Sequence, residues 1–218
     1  MSSGRFVTFE GIEGCGKSTQ IKLLSDWLKT RQPNHYLTRE PGGTRSGSAI
    51  RKILLSEQTE TLTPIAECML YYADRFQHIE EVIRPRLKEG RLVISDRYHD
   101  STLAYQGYAR GIPLDFLNEI WIRSGIALDP DLTILLDLDP QIGLQRSLEK
   151  LRAQNLDESR FEQESLEFHV RVREGFLELS KLHPERYFVV DASGSVQEIH
   201  EQITKYFLGA LASWRLRS

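Results

Sequence analysis

Apolar residues in this chain recur with two periods that alternate along its length. Short runs rich in β-branched and aromatic residues predict five strands, at Arg5 to Glu10, His35 to Arg39, Arg91 to Asp96, Leu132 to Leu138 and Tyr187 to Val190. The run LTILLDL is almost continuously apolar, as suits a parallel strand covered on both faces. Between the strands the spacing lengthens. Ile21, Leu24 and Leu28 predict a helix from Lys17 to about Lys29, and a second helix is expected from about Ser46 to Leu55. Thr63-Pro64 sets a capping hydroxyl before a proline at the first helical position. The helix it opens runs to about Lys88, with Pro85 disturbing the last turn. Shorter helical stretches fill Ser101 to Ile126, and Asp139-Pro140 repeats the cap-then-proline start. Residues from about Glu149 to Arg160 are polar and poorly periodic, so they predict a mobile excursion, with helix resuming from Gln163 to Lys181. Ser195 and Glu198 form a capping box, and Ile199, Ile203, Phe207 and Leu211 line one face of a final helix. Strands alternating with helices predict an α/β fold, a five-stranded parallel sheet with helices on both faces, in one domain over residues 1–218.

Composition narrows the class. The 218 residues are 40% hydrophobic and 27% charged, with a net charge of −3, so there is no basic field for non-specific nucleic-acid binding. No apolar run approaches the ~20 residues of a membrane span. Cys15 and Cys68 have neither disulfide-framework nor metal-site spacing, and a reducing cytoplasm is the expected location. Of the 28 basic residues 20 are Arg, which forks onto phosphate oxygens as Lys cannot. Base composition of the gene explains that excess equally well.

Gly11-Ile12-Glu13-Gly14-Cys15-Gly16-Lys17-Ser18 matches the phosphate-loop pattern G-x-x-x-x-G-K-[ST] in full, between a predicted strand and a predicted helix. Backbone N–H groups must surround β- and γ-phosphate oxygens there, which requires torsions and close approaches that glycine permits. Lys17 supplies a point charge, Ser18 a hydroxyl for Mg²⁺, and the helix its positive end. Glu13 is electrostatically unwelcome beside a triphosphate. A sugar hydroxyl, a metal or plain solvent are its possible counterparts.

Three further segments lie where the strand ends should meet. In a doubly wound sheet ligands collect beyond the carboxyl ends of the strands. Arg39, in TREPGGT, would project into that crevice, although an exposed turn arginine fits the residues too. Asp96 and Arg97, in SDRYH, suit a place beside Mg²⁺ and a clamp between two phosphates, or else a surface ion pair. Tyr71 and Arg75 are four apart on one helix face, where a ring and a guanidinium could hold a base. A core tyrosine with an exposed arginine explains that helix as readily.

Taken together, EGIEGCGKST, TREPGGT, YYADRFQ, SDRY, STLAYQG and LDLDP resemble the thymidylate kinase family in order and interval, from about Phe6 to Val190. The resemblance implies transfer of phosphate from ATP to dTMP with Mg²⁺, a three-layer P-loop nucleoside-monophosphate kinase fold with a short lid at about 146–164, and a homodimer. It implies that residues Gly11 to Thr19 bind the nucleotide, with Ser18 and Asp96 at the metal and Lys17 at the phosphates. Arg39 and Arg97 would hold the acceptor phosphate and Glu13 would approach the sugar 3′-hydroxyl. Tyr71 would stack on thymine, Arg75 would bond its edge, and Thr102 and Gln106 would lie near it. Tyr105 would crowd the sugar 2′ position, and Arg146 would lie along adenine. Tyr71 stands where the family usually has Phe. Cys15 stands where some members carry a loop arginine, which moves the expected catalytic charge onto Arg146, Arg152 or Arg160, above all Arg160. Cys15, among amide donors beside Lys17, is also expected to be alkylated in an ATP-protectable way.

A phosphate monoester has its second pKa near ~6 and needs no general base, so Asp96 is expected to organise metal and arginine rather than take a proton. Two alternatives remain at this level. One is a kinase for dUMP or thymidine. The other is a P-loop switch that only hydrolyses nucleotide, in which Arg39, Arg75 and Arg97 would have no purpose.

Overall fold

A computed structural model describes residues 4–56, 62–154 and 160–216. All five predicted strands form: β1 (Arg5–Glu10), β2 (His35–Arg39), β3 (Leu92–Asp96), β4 (Leu132–Asp137) and β5 (Tyr187–Asp191). They make one parallel sheet in the order β2-β3-β1-β4-β5. The central strands are buried on both faces, as their unbroken apolar runs require. Along β1 the alternation of side chains divides the layers. Phe6 meets the Tyr98 ring edge-on and Thr8 bonds Thr133, which leaves Val7 and Phe9 for the opposite face.

On that opposite face α1 (Lys17–Leu28) packs against α9 (Val196–Leu216), with Leu24, Leu28, Ile203 and Phe207 fully buried. On the other face lie α5 (His99–Thr102), a π-helical segment Leu103–Ala109, α6 (Leu114–Arg123) and α8 (Leu166–Leu182). The pair α2 (Arg45–Leu55) and α3 (Pro64–His78) packs together beyond β2. The capping box forms as expected: Ser195 N donates to Glu198 Oε2 at 2.8 Å and Glu198 N to Ser195 Oγ at 3.3 Å.

One expected boundary holds through a local break in the helix, and two differ. The helix opened by Thr63 does reach Lys88, through a π turn (Ile79–Ile83) and α4 (Arg84–Lys88). The π turn lies just before Pro85, whose missing N–H and bulky ring disturb a regular α-helical ladder at that point. Part of the expected excursion is helical, because α7 (Pro140–Gln154) continues through 149–154. Only a narrow stripe, Pro140, Gly143, Leu144, Ser147, Leu148 and Leu151, faces the protein, so the apolar period is faint. The rest of that excursion, 155–159, lies outside the described residues, as do 57–61. The following helix starts at Leu166 rather than Gln163, because Ser165 caps it by accepting from Phe168 N.

Candidate active site

The strand register brings the motifs to one level. Asp96 is paired with Phe9 on one side and Arg39 on the other, so β1, β2 and β3 end in the same layer. The phosphate loop leaves β1 there. Gly16 has φ 98° and open space where a Cβ would stand, so the approach to the loop is clear. Gly14 has φ 67°, and a Cβ on it would lie 2.0 Å from Gly143 O at the start of α7. The loop is therefore pressed between α7 and the sheet and held in its torsions by neighbours as well as by sequence. Lys17 Nζ donates to Gly11 O at 3.0 Å, Ile12 O at 2.8 Å and Cys15 Sγ at 3.4 Å. Cys15 is only 2% exposed and packed beside Gly11, so access to its thiol is restricted, which weighs against the expected ATP-protectable alkylation.

A cavity of about 310 Å³ runs from this loop to α3. Its wall includes Glu13, Gly14, Lys17, Ser18, Arg39, Tyr71, Arg75, Asp96, Arg97, Thr102, Tyr105 and Gln106, all expected from the sequence. Gly11, Ile12, Cys15, Gly16 and Thr19 belong to the loop and helix start but are not on that wall. Arg146 is exposed on α7 and away from it.

At the loop end, Ser18 Oγ donates toward Asp96 Oδ2 at 3.5 Å. Two hard oxygen donors at this spacing, open to solvent and phosphate, suit Mg²⁺, which takes one or two protein ligands and completes its shell with water and phosphate oxygens. In the middle, Glu13 is caged. Arg97 Nη2 donates to its Oε1 at 2.9 Å and Tyr105 Oη to the same atom at 2.5 Å, with His169 Nδ1 3.4 Å from Oε2. Burial alone would raise the Glu13 carboxyl, but Arg97, His169, Lys17 and Tyr105 outweigh it and hold it down at about 2. Glu13 is thus held by Arg97 and Tyr105 rather than standing free as a solvated loop charge. The Arg97 backbone has φ 67° and its Nη1 donates to Gly11 O at 2.9 Å, so this cation lies directly over the phosphate loop. Arg39 is exposed on the wall, and its side chain makes no hydrogen bond or ion pair among the described residues.

At the α3 end the base-edge arginine is more constrained than its sequence suggested. Arg75 is 1% exposed. Its Nε donates to Glu40 Oε2 at 2.7 Å, Nη1 to Thr102 Oγ1 at 2.7 Å and Nη2 to Tyr98 O at 3.0 Å. Three of five N–H groups are used, and one on each Nη is left for a ligand. Gln106 Nε2 donates to Glu67 Oε1 at 2.9 Å, which presents the opposite end of the amide to the cavity.

Arg160 departs from expectation. Its Nη2 is paired with the buried Glu67 at Oε2 and its Nη1 donates to Leu54 O at 2.8 Å, so it ties the segment before α8 to α2 and α3. It is not on the cavity wall, because a buried carboxylate competes for the guanidinium. From α7 the cation on the wall is Lys150, and Arg152 lies outside. Glu40, Arg51, Tyr98, Ser101, Ser147, Phe161 and Glu162 also line the cavity and were not predicted. Glu40 stood inside TREPGGT, Tyr98 inside SDRYH and Ser101 inside STLAYQG, and all three were legible there. Arg51, Ser147, Phe161 and Glu162 carry no local signal, since only the fold brings them to the wall.

The strand order, the loop between β1 and α1 and the cavity leading from it to α3 define a P-loop nucleoside-monophosphate kinase fold. The family model for thymidylate kinase matches residues 9–203. A thymidylate kinase of Oleidesulfovibrio alaskensis is 51% identical over 203 residues, covering 91% of this chain and 94% of that protein. One from Desulfovibrio desulfuricans is 48% identical over 196 residues, covering 89% and 90%. The crystal structure of the thymidylate kinase of Ehrlichia chaffeensis superposes with a TM-score of 0.75 at 30% identity, over 94% of this chain and 99% of that one. The chain belongs to the thymidylate kinase family.

Proposed function

We infer that the protein phosphorylates dTMP to dTDP with ATP. One observation carries this: a single cavity joins the phosphate loop to a pocket edged by Tyr71, Arg75, Tyr105 and Gln106, with Arg39 and Arg97 between the two. A nucleotide switch has no use for the second half. The γ-phosphate rests on the loop and Lys17, and the acceptor phosphate between Arg39 and Arg97. At ~4 Å and an effective dielectric of ~20, two unit like charges repel by about 4 kcal/mol. These cations, with Lys150 from the α7 side, offset that repulsion and align the two phosphates. Mg²⁺, held by Ser18 and Asp96, supplies further neutralisation of the triphosphate when bound. The acceptor oxygen is already ionised, so no side chain removes a proton. Thymine lies against Tyr71 with its edge at Arg75 and Gln106, and Tyr105 with Glu13 borders the sugar.

The protein acts as a cytoplasmic homodimer of one domain. The family resemblance supports the dimer, as do the exposed Ile53 on α2 and Ile65 and Met69 on α3. No described helix is long and apolar enough to cross a membrane. A coupled assay with ATP and a panel of dTMP, dUMP, dCMP and dAMP tests the activity. Preference for dTMP is expected, and acceptor-independent hydrolysis as the main reaction would refute it. Light scattering at twice the mass of one chain checks the dimer.

A further inference from the structure

Glu10, the last residue of β1, is fully buried and absent from the cavity wall. Its own side chain does not line the space where substrate would lie. Its carboxyl is nevertheless wired to the site. Oε1 accepts from Tyr98 N at 2.8 Å and Oε2 from Ser101 Oγ at 2.6 Å. Ser101 Oγ in turn accepts from Arg97 Nη1 at 3.2 Å. These contacts bracket the turn that follows Arg97, the one non-glycine among the described residues with positive φ. A non-glycine residue there is strained and persists only where its surroundings hold it. Arg97 N donates to Phe9 O at 2.9 Å and Ser95 Oγ donates to Arg97 O at 2.8 Å, which fixes the near side of the turn. Glu10 fixes the far side. Tyr98 begins α5 with no side-chain cap of its own, so its buried N–H depends on Glu10.

The nearby charges make a carboxyl an expensive choice at this position. Asp100 faces Glu10 from α5, but it is taken up by Arg186, whose Nη1 and Nη2 donate to it at 2.7 and 2.8 Å. Tyr187 of β5, Lys17 of the phosphate loop and Arg97 are the other titratable groups acting on Glu10. No guanidinium bonds it directly among the described residues. Burial, then Asp100, pushes the carboxyl up to about 8, against Ser101, Arg97 and Lys17. A neutral glutamine would fill the same volume at lower cost, so the packing does not call for the acid.

We propose that Glu10 is a positioning residue for phosphoryl transfer, holding Arg97 over the phosphate loop through Ser101 Oγ and the Tyr98 amide. This rests on Arg97 acting at the acceptor phosphate. The ionised carboxylate accepts both hydrogen bonds and attracts the guanidinium, so positioning is tightest when Glu10 is charged.

The test compares wild type, Glu10→Gln, Ser101→Ala and the double variant from pH 6.5 to pH 9.5, with ATP and dTMP, following kcat, the KM for ATP and the thermal midpoint. Misplacement of the guanidinium should lower kcat of Glu10→Gln about 10- to 100-fold at pH 9. The loss should shrink toward pH 6.5, and the KM for ATP should stay unchanged. The thermal midpoint at pH 9 should hold or rise, because a buried charge has been removed. Ser101→Ala should lower kcat and lose the rise of kcat with pH. The double variant should be no worse than the weaker single one, as expected of links in one chain. A kcat that falls only in step with the thermal midpoint, or a Glu10→Gln to wild-type ratio near one at pH 9, would overturn the proposal. If Glu10→Gln does not fold, wild-type kcat in Ser101→Ala does so alone. Failure of the wild type to form dTDP would count against the proposed function instead.

Discussion

Replacing Glu40 by alanine should destabilise the protein more than any change on the open wall of the cavity. Glu40 Oε2 meets Arg75 Nε at 2.7 Å and Oε1 meets His78 Nδ1 at 2.8 Å, with side-chain exposures of 1% for Glu40, 2% for Arg75 and 0% for His78. Burial would pull the Arg75 guanidinium down, and Glu40 foremost among its neighbours holds it charged. Removing the carboxylate leaves that buried charge without its counter-ion, at a cost of about 3–5 kcal/mol. In a protein of this size each kcal/mol moves the thermal midpoint by about 2–4 °C, so a fall of about 6–20 °C is expected. Glu40→Gln also removes the counter-charge but keeps an acceptor for Arg75, so it should lose less than Glu40→Ala. In kinetics the KM for dTMP should rise in both variants, because the two remaining N–H groups of Arg75 are aimed by the bond at Nε. Differential scanning calorimetry with and without dTMP, beside steady-state kinetics, measures both effects. A midpoint of Glu40→Ala within about 3 °C of wild type would refute the buried-pair reasoning.

Other expectations follow from the same contacts. Arg97→Ala should cut kcat far more than it weakens ATP binding measured by calorimetry, since its cation faces the acceptor side; unchanged kcat would reject the clamp. Gly14→Ala should abolish nucleotide binding, because its Cβ would sit 2.0 Å from Gly143 O; near-normal ATP affinity would show that α7 yields. Arg160→Ala should lower the thermal midpoint and slow turnover while leaving dTMP affinity nearly intact. Slower turnover at an unchanged midpoint would put Arg160 on phosphate rather than on Glu67. Glu13 is held at about 2 against an ordinary 4.5, so its stabilisation is complete above pH 4.5 and lost as pH falls through about 2. Stability of Glu13→Gln should therefore trail wild type by about 3 kcal/mol at pH 7 and converge with it near pH 2 in acid denaturation. A gap that persists at pH 2 would assign the loss to packing.

Much of the molecule was legible in the chain because the signals were local. Periodicity found five strands within a residue or so, since each apolar run answers only to the two faces of its own strand. The phosphate loop was legible because its glycines and Lys17 serve backbone torsions a few residues away. Thr63-Pro64 and Ser195 with Glu198 were legible for the same reason. What only the tertiary structure decided is where charges are spent. Arg75 and Arg160 look alike in sequence as candidate ligands. Glu40 leaves Arg75 on the cavity wall with N–H groups to spare, whereas Glu67 draws Arg160 away from it. Glu10 ends β1 and Glu13 stands three residues on in the phosphate loop, and burial beside Asp100 raises one carboxyl while Arg97 lowers the other. Partners distant in sequence set these outcomes, because in a low-dielectric interior the nearest counter-charge outweighs anything the flanking residues contribute.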